Sequence, residues 1–133
     1  MGGGYLGYDT NDWEIISEYY RFRDRNVGEN TSRSSSAWFA QVGKIFGSWT
    51  PFVRYERAML DPHDDYFIGQ SAARSYRRSS IGARYALDSR SSFKIELSDT
   101  REDSVNQIDD EGSLVWFNGT GYRRASFQYS IAF

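Results

Sequence analysis

An antiparallel all-β meander of about seven or eight strands is the fold class this sequence predicts, and three observations predict it. Polar and apolar residues alternate over several stretches near ten residues long, most clearly in Arg123 to Phe133, where Phe127, Tyr129, Ile131 and Phe133 share one face. Strand side chains point to opposite faces in turn, so this period of two marks an amphipathic strand. Aromatics form 17% of the 133 residues against only two Pro, an enrichment that suits strands better than helices. The polar connections then alternate short, long, short, long, short, long along the chain.

Taken in order, Tyr5 to Tyr8 is a short strand closed by the turn residues Asp9-Thr10-Asn11-Asp12. Trp13 to Arg23 is a longer strand whose adjacent Ile15 and Ile16 break the alternation, and a bulge near Ile15 would reconcile its two halves. Asp24 to Ser35 is polar and aperiodic and reads as a long loop. Ser36 to Phe46 resumes the pattern, with Trp38, Ala40 and Val42 opposed to Gln41 and Gly43, and Gly47-Ser48-Trp49-Thr50 reads as the second short turn. Pro51 to Met59 sets Val53 and Tyr55 against Arg54 and Glu56, with Pro at the first residue, where the ladder tolerates it.

Asp61 to Arg74 is the second long loop. Tyr76 to Leu87 carries Ile81, Ala83, Tyr85 and Leu87 against Ser80, Gly82 and Arg84, and Asp88-Ser89-Arg90-Ser91 is the third short turn. Ser92 to Thr100 opposes Phe93, Ile95 and Leu97 to Lys94, Glu96 and Ser98. The third long connection runs from Arg101 to about Gly121, and within it Leu114 to Phe117 followed by Asn118-Gly119 reads as a small hairpin, Asn-Gly being a strong hairpin signal. Tyr122 to Phe133 is the final strand.

Short turns on one side and long loops on the other are the habit of transmembrane up-and-down barrels, whose strands cross a tilted hydrocarbon slab in about ten residues. Tyr129, Ile131 and Phe133, spaced by two, resemble the C-terminal strand signal of Gram-negative outer-membrane β-barrel proteins, which the assembly machinery of that family recognises. The signal also prefers a Gly further up the strand, where Ala125 and Ser126 stand here. The resemblance implies that Phe133 lies at the periplasmic end, and Asp9 to Asp12, Gly47 to Thr50 and Asp88 to Ser91 then fall at that same end. Bacterial single-chain barrels have an even strand number. A count of about seven therefore reads as the C-terminal portion of a larger porin-like barrel, a single domain over residues 1–133, the alternative being a whole eight-stranded barrel whose first strand the pattern does not display.

Cost assigns the faces. A Lys or Arg facing lipid at the bilayer midplane costs about 2–4 kcal/mol, so Arg54, Glu56, Arg84, Lys94 and Glu96 are the candidate pore-lining residues. Tyr19, Trp38, Tyr55, Tyr85, Phe93 and Tyr129 are candidates for lipid-facing or interfacial aromatics. Phe127, Tyr129, Ile131 and Phe133 form the candidate assembly signal. Asp61, His63, Asp64 and Asp65 form a cluster with metal-ligand chemistry, although an acidic loop is more often merely hydrated, and Asp109, Asp110 and Glu111 are a second acidic group that reads as exposed loop charge. His63 is the only His, so any His-based catalysis would pass through it, and no nucleophile, P-loop or zinc spacing accompanies it.

No Cys is present, and no apolar run approaches the twenty residues of a membrane helix. Net charge is −2, with 14 of the 16 basic residues Arg, which does not give the basic excess of a nucleic-acid footprint. Met1 to Gly4 shows neither the basic nor the apolar region of a signal peptide, so a processed chain or a piece is expected. The expectations are a passive, cofactor-free diffusion channel for small polar or charged solutes in the bacterial outer membrane, not an enzyme. Its expected partners are outer-membrane lipid and lipopolysaccharide, the barrel-assembly machinery and, as a candidate, further copies of itself. The rivals are a small plugged structural or adhesion barrel, and a soluble β-barrel that binds an apolar ligand.

Overall fold

The computed structural model describes residues 1–25, 32–62, 74–108 and 114–132. Nine strands are present among them: β1 (Gly2–Asp9), β2 (Trp13–Arg25), β3 (Ser32–Lys44), β4 (Trp49–Met59), β5 (Tyr76–Ala86), β6 (Ser91–Glu102), β7 (Val105–Ile108), β8 (Leu114–Phe117) and β9 (Gly121–Ile131). Seven form one antiparallel meander in the order β1-β2-β3-β4-β5-β6-β9, and β7 pairs only with β8. Every neighbour is antiparallel, so the two marginal strands, β1 and β9, run in the same direction.

Each short turn is built from the residues that its geometry needs. Thr10 Oγ1 accepts from the Trp13 amide at 3.0 Å and closes the first. In the second, Gly47 takes φ 59°, the left-handed region that tight hairpin turns demand, while Phe46 and Trp49 exchange backbone bonds at 2.7 and 3.0 Å. In the third, Asp88 Oδ1 accepts from the amides of Arg90 and Ser91 at 2.7 and 2.8 Å, and Oδ2 accepts from the Ser91 hydroxyl at 2.7 Å. These hydrogen bonds hold the Asp88 carboxyl below the usual carboxylate range, the Ser91 hydroxyl contributing most.

Four local expectations are corrected. Ile15 and Ile16 sit in an unbroken one-to-one register with both neighbours, so no bulge forms; Ile16 simply faces the same side as Glu14 and Glu18. Ser32 to Ser35 belongs to β3 and not to a loop, two of its hydroxyls serving β2: Arg21 Nε donates to Ser34 Oγ at 3.1 Å and Arg23 Nη2 to Ser32 Oγ at 3.2 Å. Trp49 is the first residue of β4, directly opposite Tyr85, with ring centroids 4.8 Å apart. Asn118-Gly119 does not close a hairpin, because β8 pairs back with β7. The dipeptide instead leads into β9, with Gly119 so close to the chain that a Cβ there would collide with the Glu102 carbonyl oxygen.

Candidate functional site: a charged inner wall

The register sorts the side chains of the meander onto two faces. On β4, β5 and β6 the triplets Phe52–Gly82–Glu96 and Thr50–Arg84–Lys94 lie side by side on one face, and Val53–Ile81–Leu97 on the other. The first face is enclosed and the second is open. Thr100, Phe52 and Glu96 are 1%, 4% and 5% exposed, whereas Ile81, Leu97 and Phe127 are 60%, 56% and 69% exposed. Phe52 and Ala58 are the only buried hydrophobic residues described, so the sheet has no apolar core of its own.

The enclosed face is concave. Glu14, Glu18, Gln41, Arg54, Arg84 and Lys94, from β2 to β6, share a cavity of about 400 Å³ with Tyr5 of β1. A flat sheet would spread β1 to β6 over roughly 24 Å, so one cavity of this size requires the strands to curl around it. Glycine allows part of the curl. A Cβ at Gly82 would lie 2.5 Å from Phe52 Cζ and would also strike the Ile95 carbonyl, so only glycine lets the Phe52 ring lie across β5.

All five candidate wall residues fall on this face and are joined there by ion pairs. Glu96 receives Arg54 Nη2 at 2.7 Å on one oxygen and Lys94 Nζ at 2.9 Å on the other. Arg54 also brings Nε to 2.8 Å from Glu56 Oε1, a contact of charges without hydrogen-bond alignment, since that N–H has no acceptor. Glu56 in turn receives Arg78 Nη1 at 3.1 Å, and Arg78 Nε donates to Thr100 Oγ1 at 2.9 Å. Arg84 is separate from this chain: its Nη2 meets Glu14 Oε2 at 2.7 Å, and Gln41 Nε2 reaches the other Glu14 oxygen at 3.4 Å. Lys94 completes the wall by lying 4.9 Å from the centroid of the Phe52 ring, a cation–π contact.

Sequence reasoning missed Glu14, Arg78 and Thr100. Counting back by twos from Arg84 reaches Arg78, and counting forward from Glu96 reaches Thr100, so the period held the signal. Glu14 was hidden by the doubled Ile15-Ile16.

The open face carries the aromatic candidates. Trp49, Tyr85, Phe93 and Tyr129 stand directly opposite one another across four strands, and Tyr19 pairs with Trp38, whose ring lies 5.5 Å from that of Tyr55. Phe127, Tyr129 and Ile131 of the assembly-signal set project outward from β9, Phe127 stacking on Phe93 at 5.4 Å. Phe133 lies outside the described residues. So do His63, Asp64 and Asp65; of that metal candidate only Asp61 is described, its amide donating to Ser35 Oγ at 3.0 Å. No cluster of metal-ligating side chains occurs among the described residues.

Compared with protein-family models, curated proteins and solved structures, the chain has no significant match to any of the three.

Proposed function

We propose that this chain forms the wall of a porin-like barrel in the outer membrane of a Gram-negative bacterium, a passive route for small polar or charged solutes. The observation that carries the reading is the direction of the alternation: Val53, Ile81, Ile95, Leu97 and Phe127 point away from the cavity, while Arg54, Arg84 and Lys94 line it and Glu56 and Glu96 lie on the same enclosed face, paired with them. In water such a sheet would expose its apolar side and enclose its ions. In a bilayer the same arrangement places hydrocarbon against hydrocarbon and leaves the charges facing an aqueous lumen. Opposed acidic and basic groups on that wall would set a transverse field acting on charged solutes.

Two further features support the reading. The short turns, at Thr10, Gly47 and Asp88, gather at one end of the strands, as periplasmic turns do. Phe127, Tyr129 and Ile131 present an outward apolar row on the last strand, where a barrel-assembly machinery would read it. A second reading, a narrow barrel plugged by its own side chains, is favoured by the ion pairing itself, since Glu96 is already satisfied by Arg54 and Lys94. Current through single molecules of the complete protein in planar bilayers tests both. Discrete conductance that becomes less cation-selective in Glu96→Gln supports the pore, and absence of current at every salt concentration overturns it in favour of the plug.

A further inference from the structure

Arginine is distributed unevenly on the open face. Arg21, Arg57, Arg77, Arg101 and Arg123 all lie toward the long-connection end of their strands, past the apolar residues. Three of them form a ladder: Arg57 is directly opposite Arg77, and Arg77 directly opposite Arg101. Side chains opposed in this way have Cβ atoms about 5 Å apart, and like charges so placed destabilise the pair. Arg123 extends the group beside Arg101, and both share one carboxylate, Asp99, at 3.3 and 3.4 Å. Among the described residues no acidic side chain reaches Arg57 or Arg77. Among the described residues, four guanidinium groups therefore face a single carboxylate, on a chain whose net charge is −2.

Directly beneath the ladder lies a shallow depression of about 510 Å³ on the same open face, between β5, β6 and β9. Ile81 and Leu97 wall it, and the small side chains of Ser79 and Ala125 leave the space open. Its surface is almost wholly apolar, and Arg123 and Asp99 stand at its rim. A cationic rung above an apolar trough fits a molecule with an anionic head and a hydrocarbon tail.

We infer that Arg57, Arg77, Arg101 and Arg123, with the Ile81–Leu97 depression below them, form a binding site for a phosphorylated lipid of the leaflet at the long-connection end. The guanidinium fork matches phosphate oxygens two at a time, and three adjacent forks match a phosphomonoester head better than a zwitterionic one. The bound phosphate offsets the repulsion along the ladder, and an acyl chain fills the trough. The site rests on the membrane reading above and names the lipid chemistry that this part of the wall selects.

The test uses the intact protein in neutral, non-ionic micelles, with lipid A and its dephosphorylated counterpart as probes and tryptophan fluorescence as the readout. Wild-type protein is expected to prefer the phosphorylated probe by on the order of tenfold or more, each surface arginine contributing to the attraction. Arg57→Gln/Arg77→Gln/Arg101→Gln should abolish that preference, and Arg77→Gln alone should reduce it. Ala125→Phe, which fills the trough, should weaken lipid A binding while leaving that of inorganic phosphate unchanged. Equal affinity for the two probes, full preference in the triple variant, or inorganic phosphate binding as tightly as lipid A would each overturn the site. Insertion into plain phosphatidylcholine vesicles is scored in parallel: phosphate preference without insertion sinks the membrane reading alone, and insertion without preference sinks the lipid site alone.

Discussion

Glu96 and Leu97 are consecutive residues of one strand, yet the carboxylate is 5% exposed and the leucine 56%. The same contrast separates exposed Val53 from half-buried Arg54 on β4. In a water-soluble sheet a single step along the strand produces the opposite sorting, with apolar groups enclosed. What the comparison teaches is that pleat geometry creates the two faces, and composition only decides which of them meets the cavity. A medium less polar than the enclosed side, as the proposed bilayer would be, is the condition under which this sorting is favourable.

The comparison can be broken most severely from the enclosed side. Glu96→Ala leaves Arg54 and Lys94 facing each other without their shared carboxylate, and a loss of about 3 kcal/mol is expected in reversible urea unfolding from vesicles. A loss below measurement would mean that the wall is hydrated enough to dispense with the pair. From the open side, Ile81→Lys places an ammonium in the apolar band, with an expected cost of about 2–3 kcal/mol in bilayers. The same substitution should cost little in a polar medium, so equal stability in vesicles would contradict a lipid-facing Ile81.

The boundary between the faces is sharpened at Gly82. Gly82→Val drives a side chain into the Phe52 ring and the Ile95 carbonyl, and about 1–3 kcal/mol of destabilisation is expected from overpacking, read from the same unfolding curves. Gly47→Val should also destabilise, through backbone strain at φ 59° and without any loss of inner-wall contacts. The smallest effect belongs to the turn that joins β5 to β6. The folded Asp88 carboxyl lies below its ordinary pKa, so its contribution is present above the unfolded value and fades as pH falls through the folded one. Amide exchange at Ser91 should therefore quicken only on acidification below the ordinary carboxylate range, and Asp88→Ala should remove that dependence; an unchanged profile would take Asp88 out of the turn.

The parts legible in the sequence were those with one apolar and one polar row. Ile81 to Leu87 and Phe93 to Leu97 needed only the period of two, and the common face of Arg54, Glu56, Arg84, Lys94 and Glu96 followed from the parity of their strands. Where polarity and position disagreed, the reading failed. Ser32 to Ser35 are strand residues beyond the apolar band, where both faces are polar and no alternation is written. Ile16 lies on the charged side, and a doubled isoleucine looks like an irregularity when it is only an apolar residue on the polar face. Pairing of β7 with β8 could not be read either, because four residues are too few to display a period.

β1 and β9 head the same way, and that fixes what could join them. In a bilayer, as proposed above, the hydrogen-bonding groups on both margins would need neighbours, because hydrocarbon offers none. A ring whose adjacent members always oppose one another needs an odd number of additional strands between these two. A second copy would supply seven, but only standing on its head, which on the proposed membrane reading would carry its arginines to the opposite leaflet. On that reading, self-association would place such rings beside one another, but would not finish one without forfeiting the sidedness proposed for the outward arginines.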